Sequence, residues 1–404
     1  MDQTGQLGGA ELCLADLATH LRDRSTVLLF EPGPFQELLE TNRVHTMVLT
    51  GARQEAQVRK NSKIATYFSS LPGFISLVVK VARVAQGFDV LYANTAKAVI
   101  ITAVAASILR KPFLFHLHDI IDAQHFNRLN RWLLVTAANL ATGVVANSEA
   151  TAEAYRKAGG RNRNLTVLPN GFRVERFGED SVVAPCPTKN PGDDRAMVGM
   201  FGRITSWKGQ KILIQALRQL PGVTAIIVGD ALFTAGDEQY KRELMLLVER
   251  LGLTDRVHFM GFQPDILPFL RAVDLVVHCS ISPEPFGRVI VEAQLAGRPV
   301  IASRCGGPAE IIEDGVTGIL VDPGDAGELV SAMEQLLNNR RWAETLARSG
   351  REAAVQRFDL ERILADWTDF INGSVEGLTR SRVKTAAGVT RRRSRENDAK
   401  LTEA

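Results

Sequence analysis

Cysteine is scarce in this chain: four among 404 residues. Cys13, Cys186, Cys279 and Cys305 form no C-x-x-C pair, which argues against a disulfide framework or a structural zinc and fits a reducing compartment. Long apolar runs are missing too. The most apolar stretch, Ala98 to Leu109, lies between Lys97 and Arg110 and is too short to span a bilayer. It reads as a buried crossover helix. The first residues carry no signal-peptide pattern, so a cytoplasmic setting is expected. No two aspartates stand two residues apart, and neither G-x-x-x-x-G-K-[ST] nor G-x-G-x-x-G occurs. Any phosphate bound here must be held by some other arrangement, without a D-x-D metal clamp.

The remaining composition is that of a globular enzyme-sized chain, with 45% hydrophobic residues over a length that suits two or three domains. Short apolar runs alternate with helical patterns. The first series of strands is expected at Thr26–Glu31, Val44–Thr50, Asp89–Ala93, Pro112–Leu117, Gly143–Asn147 and Leu165–Leu168. The second is expected at Met197–Phe201, Ala225–Val228, Val257–Met260, Leu275–His278, Val300–Ala302 and Gly318–Val321. Most lack period-two alternation, as parallel strands covered on both faces do. The class is therefore α/β, with two doubly wound Rossmann-like sheets facing a central cleft. We expect a first domain over 1–178, a linker over 179–195 and a second domain over 196–356. A returning C-terminal helix over 357–373 and a basic, disordered tail over 374–404 would follow.

The chain is organised around Asp274 to Ser303. An apolar strand, Leu275 to His278, leads through the loop Ser280-Ile-Ser-Pro-Glu-Pro-Phe-Gly287 into a helix over Val289 to Ala296. Gly287 stands where loop becomes helix, so the N–H groups of Gly287, Arg288 and Val289 should be unpaired and form an anion site. Glu284 and Glu292 bracket that site and can accept hydrogen bonds from hydroxyls on either side. An anion between two polyol acceptors describes a nucleotide-sugar diphosphate.

Glu284-Pro-Phe-Gly-Arg-Val-Ile-Val-Glu292, followed by Ala-Gly-Arg-Pro-Val-Ile-Ala-Ser, resembles the E-x7-E motif of the retaining glycosyltransferases of family 4, which have the GT-B fold. Gly202-Arg203-x4-Lys208-Gly209 is similar to the family's diphosphate-binding loop. Two cations at a strand-to-helix crossing suit a diphosphate, the Arg as a fork and the Lys as a point charge; the bland alternative is a solvated loop. The resemblance extends to about Asn372 and implies transfer of a sugar from a nucleoside diphosphate donor with retention of configuration. It implies catalytic roles for Glu284, His118, Arg203 and Lys208. It places Gly8, Gly9, Arg203, Lys208, Phe286, Gly287, Arg288, Val289 and Glu292 at the donor. Glu284 would meet sugar hydroxyls and Glu292 the ribose. Arg288 stands where the family often has Leu, and Ala231 where a second glycine is common after Val228-Gly229-Asp230. Gly306-Gly307 and Glu310 also follow the family pattern. His118, read from the residues alone, is either a satisfied loop histidine or a functional one; the family has His-Asp here, near the donor sugar and acceptor.

No metal and no cofactor are implied, and the diphosphate charge falls to Arg203, Lys208 and the helix N-terminus. The expected partners are the nucleotide sugar and a glycan or lipid-linked acceptor, and not nucleic acid. Residues 376–404 carry eight Lys or Arg against four Asp or Glu, on an otherwise near-neutral chain. That tail, or the basic segment Arg53 to Lys63, suggests peripheral contact with an anionic membrane. Two other functions fit the architecture: a nucleotide-sugar epimerase, and a catalytically silent binding protein. One feature departs from the family pattern. A central strand should precede Gly8-Gly9, yet Met1 to Leu7 is too polar to be a buried parallel strand. The expectation is that the natural chain starts upstream.

Overall fold

The structure, a computed structural model, describes residues 1–49, 71–178, 195–232 and 234–375. The Arg53–Lys63 segment, nearly all of the 179–195 linker and the basic tail from 376 lie outside the described residues.

Twelve parallel strands and the helices between them make three sheets among the described residues, of two, four and six strands. In the N-terminal half, helix α1 (Gly9–His20) precedes β1 (Val27–Leu29), α2 (Pro34–Thr41) and β2 (Thr46–Val48). Then come α3 (Leu71–Ala85), β3 (Leu91–Ala93), α4 (Ala96–Leu109), β4 (Phe113–Leu117) and α5 (Arg128–Asn139). β5 (Gly143–Ala146), α6 (Glu149–Lys157) and β6 (Leu165–Val167) complete the half. β1 pairs with β2, and β3 to β6 form a four-stranded sheet in sequence order.

Met1 and Asp2 lie between these two pieces. Asp2 donates its N–H to Leu28 O and accepts from Phe30 N, while Met1 O accepts from Asn94 N. Met1 to Leu7 forms no strand, but Asp2 bridges to Leu29 and Met1 to Asn94, so these two residues stand in the gap between β1 and β3. Asp2 is fully buried there because Asn94 Nδ2 donates to its carboxylate at 2.7 Å and Thr4 N at 3.1 Å. Partners of that kind offset the cost of burying a carboxyl, though burial still pushes its pKa up.

The C-terminal half carries a six-stranded parallel sheet in the order β12-β11-β10-β7-β8-β9. Its strands are β7 (Ala196–Phe201), β8 (Val223–Val228), β9 (Val257–Gly261), β10 (Leu275–His278), β11 (Val300–Ser303) and β12 (Ile319–Val321). β7, β8, β10 and β11 are buried almost throughout, which is why their sequences show no alternation. The helices are α7 (Gln210–Leu217), α8 (Ala235–Arg250), α9 (Leu267–Ala272), α10 (Arg288–Leu295), α11 (Pro308–Ile311), α12 (Ala326–Asn338) and α13 (Arg340–Phe358). The strand order reverses between β7 and β10. Loops from their carboxyl ends therefore diverge and leave a crevice, the usual ligand position in open α/β sheets.

At Asp359 the chain crosses back. Phe172 N donates to Phe358 O at 2.8 Å and Leu360 N donates to Phe172 O at 3.0 Å. The helix over 360–375 then sets Leu360, Ile363, Leu364 and Trp367 against Leu17, Val145 and Leu168 of the N-terminal half.

Candidate active site

Glu284 stands in the crevice at the β7/β10 reversal. Its Oε2 accepts from Lys208 Nζ at 2.6 Å and from Ser280 Oγ at 3.0 Å, with His278 Nε2 3.3 Å away. Its main chain is fastened too: the N–H donates to Cys305 O, and the carbonyl accepts from Gly307 N at 2.8 Å. Burial alone would raise the Glu284 pKa. The Lys208 charge and the His278 contact outweigh it and hold the carboxyl well below the usual carboxylate range. Glu284 is thus an anion with a fixed direction, and none of these three contacts uses Oε1.

Three residues beyond Glu284, Gly287 turns the loop into α10. Its φ is 105°, a left-handed conformation that a side chain would strain, and no side chain caps the helix. The first N–H groups of α10 are therefore left without a side-chain cap, an arrangement that suits an anion. The ring of Phe286 points the other way, into the hinge core, with centroids 6.4 Å from Phe172 and 5.7 Å from Phe358. Val289 is packed at the edge of the same core.

Arg288 crosses toward the N-terminal half. Its guanidinium lies 4.5 Å over the Phe172 ring and its Nη2 is 3.6 Å from Glu292 Oε1, one helical turn on. A Cβ on Gly9 would stand 3.1 Å from Arg288 Cδ, so Gly9 is the point where this side chain meets α1. Arg288 Nη1 is buried without a hydrogen-bond partner. Burial raises the Glu292 pKa, with Arg288 and Arg176 opposing.

On the facing side, His118 Nε2 is 3.0 Å from Asn94 Oδ1. Asn94 Nδ2 is committed to Asp2 Oδ2 and Ala10 O, both acceptors, which fixes the amide's orientation. His118 must then donate through Nε2–H, which leaves Nδ1 with a lone pair. Burial lowers its pKa from 6.5 to about 4, so the ring is neutral. The ring packs 3.7 Å from that of His116, whose Nδ1 is 2.7 Å from Tyr92 Oη. Gly8 ends the loop before α1; a Cβ there would lie 2.7 Å from Glu11 Oε2. Burial and the Asp2 charge raise the Glu11 pKa from 4.5 to about 8, while Arg203 pulls the other way. Exposed Arg203 therefore faces Glu11 electrostatically, with its carbonyl accepting from Gln210 Nε2.

The structure thus brings Lys208, Glu284, the start of α10, Arg288, Glu292 and Gly9 into one crevice. His278, Ser280 and Asn94 are site residues that the sequence does not single out; the polar pair at the end of an apolar strand, His278 and Ser280 two residues apart, is their visible signal. No helix among the described residues is long and apolar enough to cross a membrane.

Comparison with known proteins gives the same picture. The family model for glycosyl transferases group 1 matches residues 187–354, and that for glycosyltransferase family 4 matches residues 7–176. The chain is similar to the lipopolysaccharide core biosynthesis glycosyltransferase LpsE of Rhizobium meliloti, 36% identical over 222 residues, 54% of this chain and 61% of that one. A D-inositol 3-phosphate glycosyltransferase of Mycolicibacterium smegmatis is 32% identical over 53% of this chain and 49% of its own length. The chain therefore spans about half to three fifths of these relatives. Anabaena HepE, solved with UDP and glucose, is 40% identical with a TM-score of 0.80, over 92% of this chain and 98% of that one.

Proposed function

The chain belongs to glycosyltransferase family 4 and has the GT-B fold, and from that premise we propose that it moves a sugar from a UDP-sugar to a hydroxyl of a glycan or lipid-linked acceptor, with retention of configuration. The observation that carries this reading is the uncapped start of α10 beside the Lys208–Glu284 pair. Preorganised N–H groups and a cation stabilise charge that develops on a leaving diphosphate. Arg203 and Lys208 take up that charge, Glu292 accepts from the ribose, and Glu284 Oε1 orients the sugar hydroxyls. The anomeric C–O bond to the diphosphate breaks, the acceptor oxygen bonds to the same face, and its proton passes to the departing phosphate oxygen. His118, neutral with a free Nδ1, faces the sugar and acceptor. UDP is favoured as the nucleotide because HepE was solved with UDP-glucose.

The test is a donor panel read by thermal shift, followed by turnover with acceptor sugars and NMR of the product anomer. UDP should stabilise the protein more than GDP or ADP, and the donor's anomeric configuration should persist in the product. No stabilisation by any nucleotide would sink the reading. An isomerised sugar formed without an acceptor would replace it with an epimerase.

A further inference from the structure

Helix α6 lies in the N-terminal half, and its first turn is held by the other half. Every helix start leaves N–H groups without intrahelical partners. Here Glu149 N donates to Glu310 Oε2 at 2.8 Å and Ala150 N to Glu310 Oε1 at 2.6 Å. Both carboxylate oxygens of one residue thus cap a helix 160 positions away, with the charge placed where the helix dipole favours an anion. Ser148 Oγ is 2.5 Å from Pro285 O and Thr151 Oγ1 is 3.2 Å from it. Ser148 and Thr151 are almost fully buried.

Pro285 follows Glu284, and Glu310 belongs to the segment that fastens Glu284. Gly306 has φ 75°, and a Cβ on it would stand 2.3 Å from Glu284 O, so the two backbones can meet only with glycine there. Gly307 N then donates to Glu284 O, and α11 begins at Pro308. Arg357 braces the far end through the carbonyls of Glu310 and Ile311. The start of α6 therefore holds Pro285 directly and, through Glu310, the segment whose Gly307 pairs with Glu284.

We propose that Glu310 is a positioning residue: it latches α6 onto the donor loop, so that closing the cleft sets Glu284 in register with the acceptor side. The role rests on the glycosyltransferase reading above. In it, Glu310 touches neither donor nor acceptor. Breaking the latch should leave nucleotide binding intact while slowing transfer and loosening the two halves.

Two variants probe the latch from opposite sides. Glu310→Gln keeps the shape but loses the charge and one acceptor. Glu149→Pro removes one donor at the first helical position, where proline is favoured, and the preceding Ser148 is already extended (φ −159°, ψ 162°), as a pre-proline residue requires. For each variant and the double, UDP affinity, kcat, acceptor KM and the radius of gyration by X-ray scattering are measured. We expect UDP affinity within about twofold of the parent, kcat down about tenfold, the scale of one charge-assisted helix cap, and a larger radius. The double variant should be little worse than Glu310→Gln alone, as for two partners in one contact. Unchanged kcat, an unchanged radius or fully additive losses would each overturn the proposal. Scattering needs no substrate, so an unchanged radius refutes the latch even if the parent protein transfers no sugar, an outcome that would separately refute the function.

Discussion

Lys208 Nζ and Glu284 Oε2 lie 2.6 Å apart in a crevice where both side chains are nearly out of water, 14% and 10% exposed. The pair joins the two loops that diverge from β7 and β10. Each charge is tolerated there because of the other, so the pair serves stability and the site together.

Removing one partner should show both roles. Lys208→Ala is expected to lose ~10²–10³ in turnover and roughly 3–5 kcal/mol of stability, because Glu284 is left as a buried, under-compensated charge. Lys208→Met with Glu284→Gln should recover most of the melting temperature and none of the activity. A double variant no more stable than the singles would show that the pair carries little stability.

Glu11 should shape the alkaline limb of stability. Its pKa is raised on folding from 4.5 to about 8, so the folded state holds the proton more tightly. Stability is then fully present below pH 4.5, falls as pH rises toward 8, and levels off above. Glu11→Gln, which cannot ionise, should flatten this limb and melt higher than the parent protein at pH 9. Parallel melting curves for the two proteins from pH 5 to 9 would contradict the assignment.

His118 should act on the acid side. Folding lowers its pKa from 6.5 to about 4, so its contribution is present above pH 6.5 and is lost as pH falls through 4. Buried His116 shifts the same way. His118→Asn should make acid unfolding shallower across that window, as measured by circular dichroism. The kcat profile of the parent protein should show no ionisation of His118 between pH 6 and 8.

Divalent ions should be dispensable. The proposed charge stabilisers are Arg203, Lys208 and the α10 N-terminus. Dialysis against EDTA should leave turnover intact, and recovery with Mg²⁺ or Mn²⁺ after a loss would show that these groups do not suffice.

The basic residues beyond 375 should strengthen binding to anionic vesicles by roughly 1 kcal/mol for each arginine that reaches the surface, less at high salt. Sedimentation of a chain ending at Val375 beside the full chain measures this. Equal binding would assign any membrane contact to Arg53–Lys63 or to another surface.

The parts legible in the sequence are those that obey local rules. β10 and β11 are apolar up to a polar last residue because both faces are covered, and Gly287 marks a helix start by itself. What escaped was set by distant residues. Asp2 reads as part of a polar, exposed heptapeptide, and only Asn94, 92 positions away, makes it a buried one. Glu310 follows the family pattern in sequence, but its contact with the start of α6, 160 positions away, is not written there. His278 looks like the last residue of a strand, and nothing local says that Glu284 will turn back to meet it.

The crossing at Asp359 has a consequence for synthesis. Leu17, Val145 and Leu168 are covered by Leu360, Ile363, Leu364 and Trp367, so an apolar seam on the first half waits until the whole second half has been made. At roughly 5–20 residues per second, the ribosome leaves that seam open for on the order of ten seconds or more. A fragment of residues 1–178 should accordingly bind a hydrophobic dye, and a peptide of residues 358–375 added in trans should quench the signal. A fragment that ignores both dye and peptide would mean that the first half closes its own seam while the second is still being translated.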